Sequence, residues 1–173
     1  MPTAGERHIT QSADGSTTLW VPGLDEHYHS IHGALTESQH VFIEAGLKAI
    51  GTSNVRILEV GLGTALNARL TLDQAQQDGR SIAYDALEKF PLTKKEIEAV
   101  GSQGMSKEAP FLTATPGAVT QITEQFTFRL LVEDVKSFKA NKALTTSYTL
   151  MPSLRVRNRI YGLMPFSRTC TAC

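Results

Sequence analysis

Hydrophobic and polar positions change period several times along this chain, and the changes mark its elements. From Ile9 to Pro22 two strand-like runs flank Ala13-Asp14-Gly15-Ser16. Asp-Gly between such runs predicts a hairpin. Gly23 to Gly33 is loop-like and holds His27, His29 and His32. Leu35 to Ile50 predicts a helix in which Leu35, Val41, Phe42, Ala45 and Leu47 share one apolar face, with Thr36 as N-cap and Gln39 as its reciprocal partner. Val55 to Val60 predicts a buried strand, Leu66 to Gln77 a helix and Ile82 to Leu87 a second strand. Thr93 to Val100 is a short helix opened by a Thr93–Glu96 capping box. Gly101 to Thr115 is irregular, and Pro116 to Glu124 predicts another short helix. Phe126, Phe128, Leu130 and Val132 alternate with more polar neighbours as a third strand, and Val135 to Ala140 begins a helix. Strands alternating with helices imply an α/β fold with a parallel sheet. After Lys142 the period is lost.

Between the first parallel strand and its helix stands Glu59-Val-Gly-Leu-Gly-Thr-Ala-Leu-Asn67. A strand, a glycine turn and a helix in that order hold an adenosyl cofactor over the end of a parallel sheet. In the dinucleotide form G-x-G-x-x-G the third glycine lets the helix pack close to a pyrophosphate. Leu66 stands there, which favours S-adenosyl-L-methionine and leaves a nicotinamide-dependent oxidoreductase as the alternative. Open α/β sheets bind ligands at the carboxyl ends of their strands. Glu59, Glu88 and Glu133-Asp134 end the three predicted strands. The cofactor needs acceptors for its ammonium and its ribose hydroxyls and a polar partner for its adenine amine. Gly61 and Gly63 leave room for its methionine part.

Length and charge narrow the class. A chain of 173 residues suggests one domain, and 41% hydrophobic content supports a core. Net charge is zero, but Leu144 to Cys173 holds four arginines and no acids, which leaves 13 basic against 17 acidic residues before it. No broad basic surface declares nucleic-acid binding. No apolar run spans a bilayer and no signal peptide is visible, so a cytoplasmic location and no membrane partner are expected. Cys170 and Cys173 form a C-x-x-C with no helix after it and no further ligands, so an incidental pair is expected. His27, His29, His32 and His40 lack a metal spacing, with or without Glu37 and Glu44, so no metal is expected.

These segments together resemble a known family, the MnmC-like tRNA methyltransferases, which act in making 5-methylaminomethyl-2-thiouridine. Gly33, Leu35, Glu37, Val41 and Phe42 match its G-L-x-E-T-x-x-V-F pattern. Glu59 to Asn67 resembles its E-x-G-F-G-T-G-L-N, with Ala65 where the family often has glycine. Leu87-Glu-Lys-Phe-Pro-Leu-Thr93 resembles F-E-K-F-P-L-T, the longest and least common match. Val132-Glu-Asp-Val135 stands where the family has a strand ending in Gly-Asp, with Glu133 replacing the glycine. The resemblance spans roughly residues 20–142. It implies a Rossmann-like class I methyltransferase sheet using S-adenosyl-L-methionine, with tRNA as substrate. It further implies a flavin-dependent oxidoreductase, fused in larger members and here separate, that supplies the amine. By resemblance, Glu59, Gly61 and Gly63 hold the methionine end together with Thr64 and Asn67. Glu88 takes the ribose and Glu133 or Asp134 the adenine side, with Lys89 also among the cofactor-binding residues. Glu37 and His32 line the substrate mouth.

The family's catalytic segment, D-[AG]-F-A-P on the fourth strand, is absent from this chain. A shifted reading frame over Leu144–Cys173 admits codons for D-A-F-A-P and a helix after it. Met151-Pro152 forces an alanine codon there, preceded by a codon that allows aspartate. The expected organisation is therefore a hairpin and lead-in loop at 1–34, a partial methyltransferase domain at 35–143 and an aberrant tail at 144–173. The expected sheet is incomplete after its third strand, with apolar edges at the first and third strands. A catalytically dead remnant is the alternative function.

Overall fold

The structure is a computed structural model that describes residues 6–22, 25–28, 32–102, 107–138 and 149–152. Three strands form a small antiparallel sheet in the order β1 (His8–Gln11), β2 (Thr17–Val21) and β3 (Glu26–His27). The hairpin predicted around Asp14-Gly15 is its first half, and β3 lies inside the segment expected to be loop. Leu19, Val21 and Tyr28 form a small core under it, with Ile9 and Leu92 packed alongside.

The helix expected over 35–50 is broken into three pieces. Ala34–Ser38 (α1) is α-helical, Gln39–Glu44 continues as π-helix, and Leu47–Ala49 is a turn of 3₁₀. The widened turn changes which residues face inward. Phe42, Ile43 and Leu47 are buried, Leu35 and Ala45 are exposed, and Val41 is half-buried. Thr36 sits inside α1 and is not its N-cap, which is Gly33.

The main sheet contains β4 (Asn54–Val60), β5 (Ser81–Leu87), β6 (Val119–Thr123), β7 (Phe126–Leu131) and β8 (Thr149–Pro152), in the order β6-β7-β5-β4-β8. β4, β5, β7 and β8 run parallel, and β6 is antiparallel to β7. This is the expected Rossmann-like α/β sheet with an N-terminal hairpin. It differs from expectation at both edges. Pro116 to Glu124 is no helix, because the β-branched alternation of Val119-Thr-Gln-Ile-Thr123 pairs it with β7 across a two-residue turn. The expected bare edge of the first parallel strand carries β8, whose Met151 and Pro152 pair with Glu59 and Val60. β8 is a four-residue strand without alternation, so period alone does not reveal it.

α2 (Leu66–Asp78) packs on one face of this sheet and ends at Gly79 in the left-handed conformation. α3 (Lys94–Ser102) carries the expected capping box: Glu96 Oε2 accepts from the Thr93 amide at 2.7 Å, and the Glu96 amide donates to Thr93 Oγ1 at 3.3 Å. α4 (Ala109–Leu112) lies in the stretch expected to be irregular and inserts Phe111 against Phe126 and Phe128, with ring centroids 5.9 and 5.1 Å away. The main core gathers Ile57, Leu66, Leu70, Tyr84, Phe111 and Phe128 on the α2 face. Residues 134–138 form a turn where a helix was expected to begin, and residues 139–140 lie outside the described residues. Cys170, Cys173 and the tail other than Thr149–Pro152 also lie outside them. Among the described residues, no helix is long and apolar enough to cross a membrane.

Candidate functional site

The carboxyl ends of β4, β5 and β7 meet at the glycine turn. The Gly61 amide donates to the Leu87 carbonyl at 2.8 Å, which ties the turn to the end of β5. Gly61 and Gly63 have φ of 87° and 57°, values that glycine adopts without strain. A Cβ at Gly63 would lie 2.8 Å from Tyr28 Cδ1, so only glycine fits beneath that ring. Ala65 also has positive φ, 65°, and is fully buried at the start of α2. The position keeps the left-handed conformation despite its methyl group, at a cost of about 1 kcal/mol. Ala65, the N-cap residue of α2, offers no capping side chain.

Glu59 lies beneath this turn with no exposed surface. Its Oε1 accepts from Asn67 Nδ2 at 2.8 Å and its Oε2 from the Tyr84 hydroxyl at 2.9 Å. Burial pushes its carboxyl up to about 8, against the pull of those two hydrogen bonds; the nearby Glu88 charge adds to the rise. The Tyr84 hydroxyl is held well above its ordinary range, first by burial and then by the Glu59 charge. Asn67 is 4% exposed, and its Oδ1 is a buried acceptor without a partner among the described residues. Thr64 is fully buried in the same turn.

Glu88 follows β5 directly and faces the turn. Its Oε2 accepts from the Gly63 amide at 3.1 Å and its Oε1 from the Phe90 amide at 2.9 Å. A carboxylate offers about four acceptor positions, so each oxygen retains one. Lys89 reaches sideways to β7's end, where its Nζ lies 2.7 Å from Asp134 Oδ2. Hydrogen bonds from Lys89 and from the Lys136 amide pull the Asp134 carboxyl below its ordinary range. Glu133 is exposed beside it. Thus Glu59, Gly61, Gly63, Thr64, Asn67 and Glu88 form one cluster, and Lys89 joins it to Asp134.

The residues expected at the substrate mouth lie on another segment. Glu37 is half-buried within α1 and His32 is exposed just before it. His27 stacks on Trp20, 6.4 Å between centroids, within the small sheet. His29 lies outside the described residues. A shallow hollow lined by Asn54, Arg56, Ser81, Glu124 and Thr127 sits at the amino ends of the strands, away from the end where α/β sheets bind ligands.

Four residues, Tyr84 and Tyr28 at the turn and Asp14 and Arg7 away from it, have roles that no sequence signal marks. Tyr84 reads as one apolar residue in a buried strand, yet supplies a hydroxyl to Glu59. Tyr28 covers Gly63. Asp14 reads as a hairpin-turn residue, and Arg7 precedes the first strand. Asp14 Oδ2 accepts from the Thr36 amide at 3.1 Å, Ser16 Oγ from the Leu35 amide at 3.3 Å, and Ser12 Oγ from the Ala34 amide at 3.4 Å. The hairpin turn therefore caps α1 from outside the helix, which is why Thr36 need not.

A Rossmann-like sheet with a glycine turn and an acid at the end of the next strand defines the class of fold. Among solved structures, the crystal structure of MnmC2 from Aquifex aeolicus has the same fold, with a TM-score of 0.57 and 24% identity. The likeness covers 82% of this chain and 48% of that one, so the chain spans about half the length of that protein. The chain thus shares the fold of MnmC2. No family profile and no curated protein sequence matches the chain.

Proposed function

We propose that this chain is the cofactor-binding part of an S-adenosyl-L-methionine-dependent tRNA methyltransferase of the MnmC-like family. The observation that carries this is the left-handed Gly63, stacked under Tyr28 and hydrogen-bonded to the acid that ends the next strand. The residues present fit the cofactor. Ala65, the N-cap residue of α2, offers no capping side chain, so the helix's amino end suits the methionine carboxylate. Glu88 keeps acceptor positions for ribose hydroxyls, and the unpartnered Asn67 Oδ1 adds a buried acceptor under the turn. Bound there, the cofactor supplies a methyl group on a sulfonium.

Gly61, Gly63 and Thr64 provide the backbone cradle. Glu59 acts from below, holding Asn67 and the turn in place through its two engaged oxygens. Lys89 and Asp134, with Glu133 beside them, frame the adenine side. Glu37 and His32 line the approach of the substrate. That substrate is the aminomethyl group on a wobble 2-thiouridine of tRNA, met in the cytoplasm and supplied as an amine by a separate flavin-dependent oxidoreductase. The chain's part is to orient two partners in line and exclude water.

A second reading, a remnant that does not transfer methyl groups, is favoured by one observation. The fourth parallel strand, Thr149-Leu-Met-Pro152, ends without the family's aspartate. Calorimetry with S-adenosylhomocysteine and with NAD, followed by methyl transfer to tRNA, separates the readings. Binding of the first with transfer is expected of the enzyme. Binding without transfer supports the remnant, and binding of NAD alone overturns the methyltransferase reading.

A further inference from the structure

Arg7 uses every guanidinium donor it has. Nε lies 2.6 Å from Glu96 Oε1, and Nη2 lies 2.7 Å from Glu96 Oε2 and 3.2 Å from the Pro91 carbonyl. Nη1 lies 2.7 Å from the Phe90 carbonyl and 3.2 Å from the Tyr28 hydroxyl. The side chain is 4% exposed. A bidentate pair that also satisfies two carbonyls and a phenol fixes a planar group in all its directions. Glu96 is held in turn by Thr93, so the grip extends to the start of α3.

What Arg7 grips is the segment that carries Glu88. The Phe90 carbonyl accepts from Arg7, while the Phe90 amide donates to Glu88, which also takes the Gly63 amide. A second route runs from Arg7 to the Tyr28 hydroxyl and through its ring to Gly63. Both routes end on the same glycine.

We propose that Arg7 is a positioning residue for the adenosyl site. It sets the Glu88 carboxylate and the Tyr28 ring on either side of Gly63, and so tunes ligand affinity without touching the ligand. This rests on the methyltransferase reading above. An arginine that only stabilised the fold would lower stability and leave affinity alone.

The test uses the full chain with Arg7→Lys, and with Asp14→Ala as a control that weakens the fold away from the turn. S-adenosylhomocysteine affinity is measured by calorimetry well below each melting temperature, and hydrogen exchange is followed at the Gly63 and Phe90 amides. Arg7→Lys is expected to weaken binding about tenfold and to speed both amides. Asp14→Ala is expected to keep affinity within about twofold, despite its loss of stability. Equal affinity changes in both variants, or wild-type binding by Arg7→Lys, overturns the proposal. Should Arg7→Lys fail to fold, Glu96→Gln is read the same way with a smaller expected loss. If the wild-type chain binds no S-adenosylhomocysteine, the methyltransferase reading fails. Exchange at Gly63 and Phe90 then decides the positioning role alone, and unchanged rates overturn it.

Discussion

Two helices of this chain begin in opposite ways. α2 begins at the glycine turn, within one continuous run of sequence, and its N-cap residue Ala65 offers no capping side chain. α1 begins after Gly33, and its first three amides are met by Ser12, Asp14 and Ser16 from a hairpin turn some twenty residues earlier. The amino end of a helix concentrates positive potential and unpaired donors. At α1 the protein neutralises that end itself. At α2 a turn of glycines precedes the helix, and under the proposed function its end receives an anionic group. The two starts differ in what lies around their first amides, although each follows a residue of positive φ, Gly33 and Ala65.

Charge divides the two regions in the same way. Burial opposes the Asp14 charge, yet hydrogen bonds from Ser12, Ser16 and the Thr36 and Ser16 amides hold it far below the ordinary range. Glu59, beneath the α2 start, is pushed upward by burial. The α1 start rests on a carboxylate whose charge its hydrogen bonds favour, and the α2 start lies over one whose charge burial opposes.

The strongest way to break the comparison is Gly63→Val. Its φ of 57° and the Tyr28 ring forbid a branched side chain, so a loss of about 3 kcal/mol in urea denaturation and no detectable S-adenosylhomocysteine binding are expected. Retained binding would mean that the turn is not the cradle. Next comes pH. The folded Glu59 pKa lies above its unfolded value, so its contribution is fully present below about pH 4.3 and is lost as pH rises through about 8. Melting curves should therefore fall on the order of 3–4 kcal/mol in stability from pH 5 to 8, a slope that Glu59→Gln flattens.

Asp14→Ala should cost about 1–2 kcal/mol, because it removes the trans cap of α1. Its linkage has the opposite sign. A lowered folded pKa gives stability that is present above about pH 3.9 and lost as pH falls further, so the variant's acid limb should be shallower than wild type. Equal acid limbs would show that Asp14 does not cap α1 in solution. The smallest effect is expected at Ala65. Glycine there relieves about 1 kcal/mol of left-handed strain but removes a buried methyl worth about 0.8 kcal/mol. Thermal melting of Ala65→Gly should shift by less than about 0.5 kcal/mol, which would explain how alanine persists at a glycine position.

Much of the α2 region was legible in the sequence because its parts are neighbours in the chain. Glu59, Gly61, Gly63 and Asn67 fall in one stretch, and the acid after the next strand is found by counting to its end. What lay hidden were the roles. Glu59 ends a strand as expected, but the main core and α2 enclose it, so its carboxylate faces Asn67 and Tyr84. β6 lies in the stretch expected to be a short helix, and its β-branched alternation is only five residues long. β8 gave no signal at all.

The sequence by itself determined the order of strand, glycine turn and helix, the acids at the strand ends and the Thr93–Glu96 cap. Each of these depends on local backbone preference or on a period of a few residues. Only the tertiary structure decided that Tyr28 covers Gly63, that Arg7 grips Phe90, Pro91 and Glu96, and that a hairpin turn caps a distant helix. Those contacts join residues some twenty to ninety positions apart. Such pairing is set by how the two sheets pack, and no spacing along the chain records it.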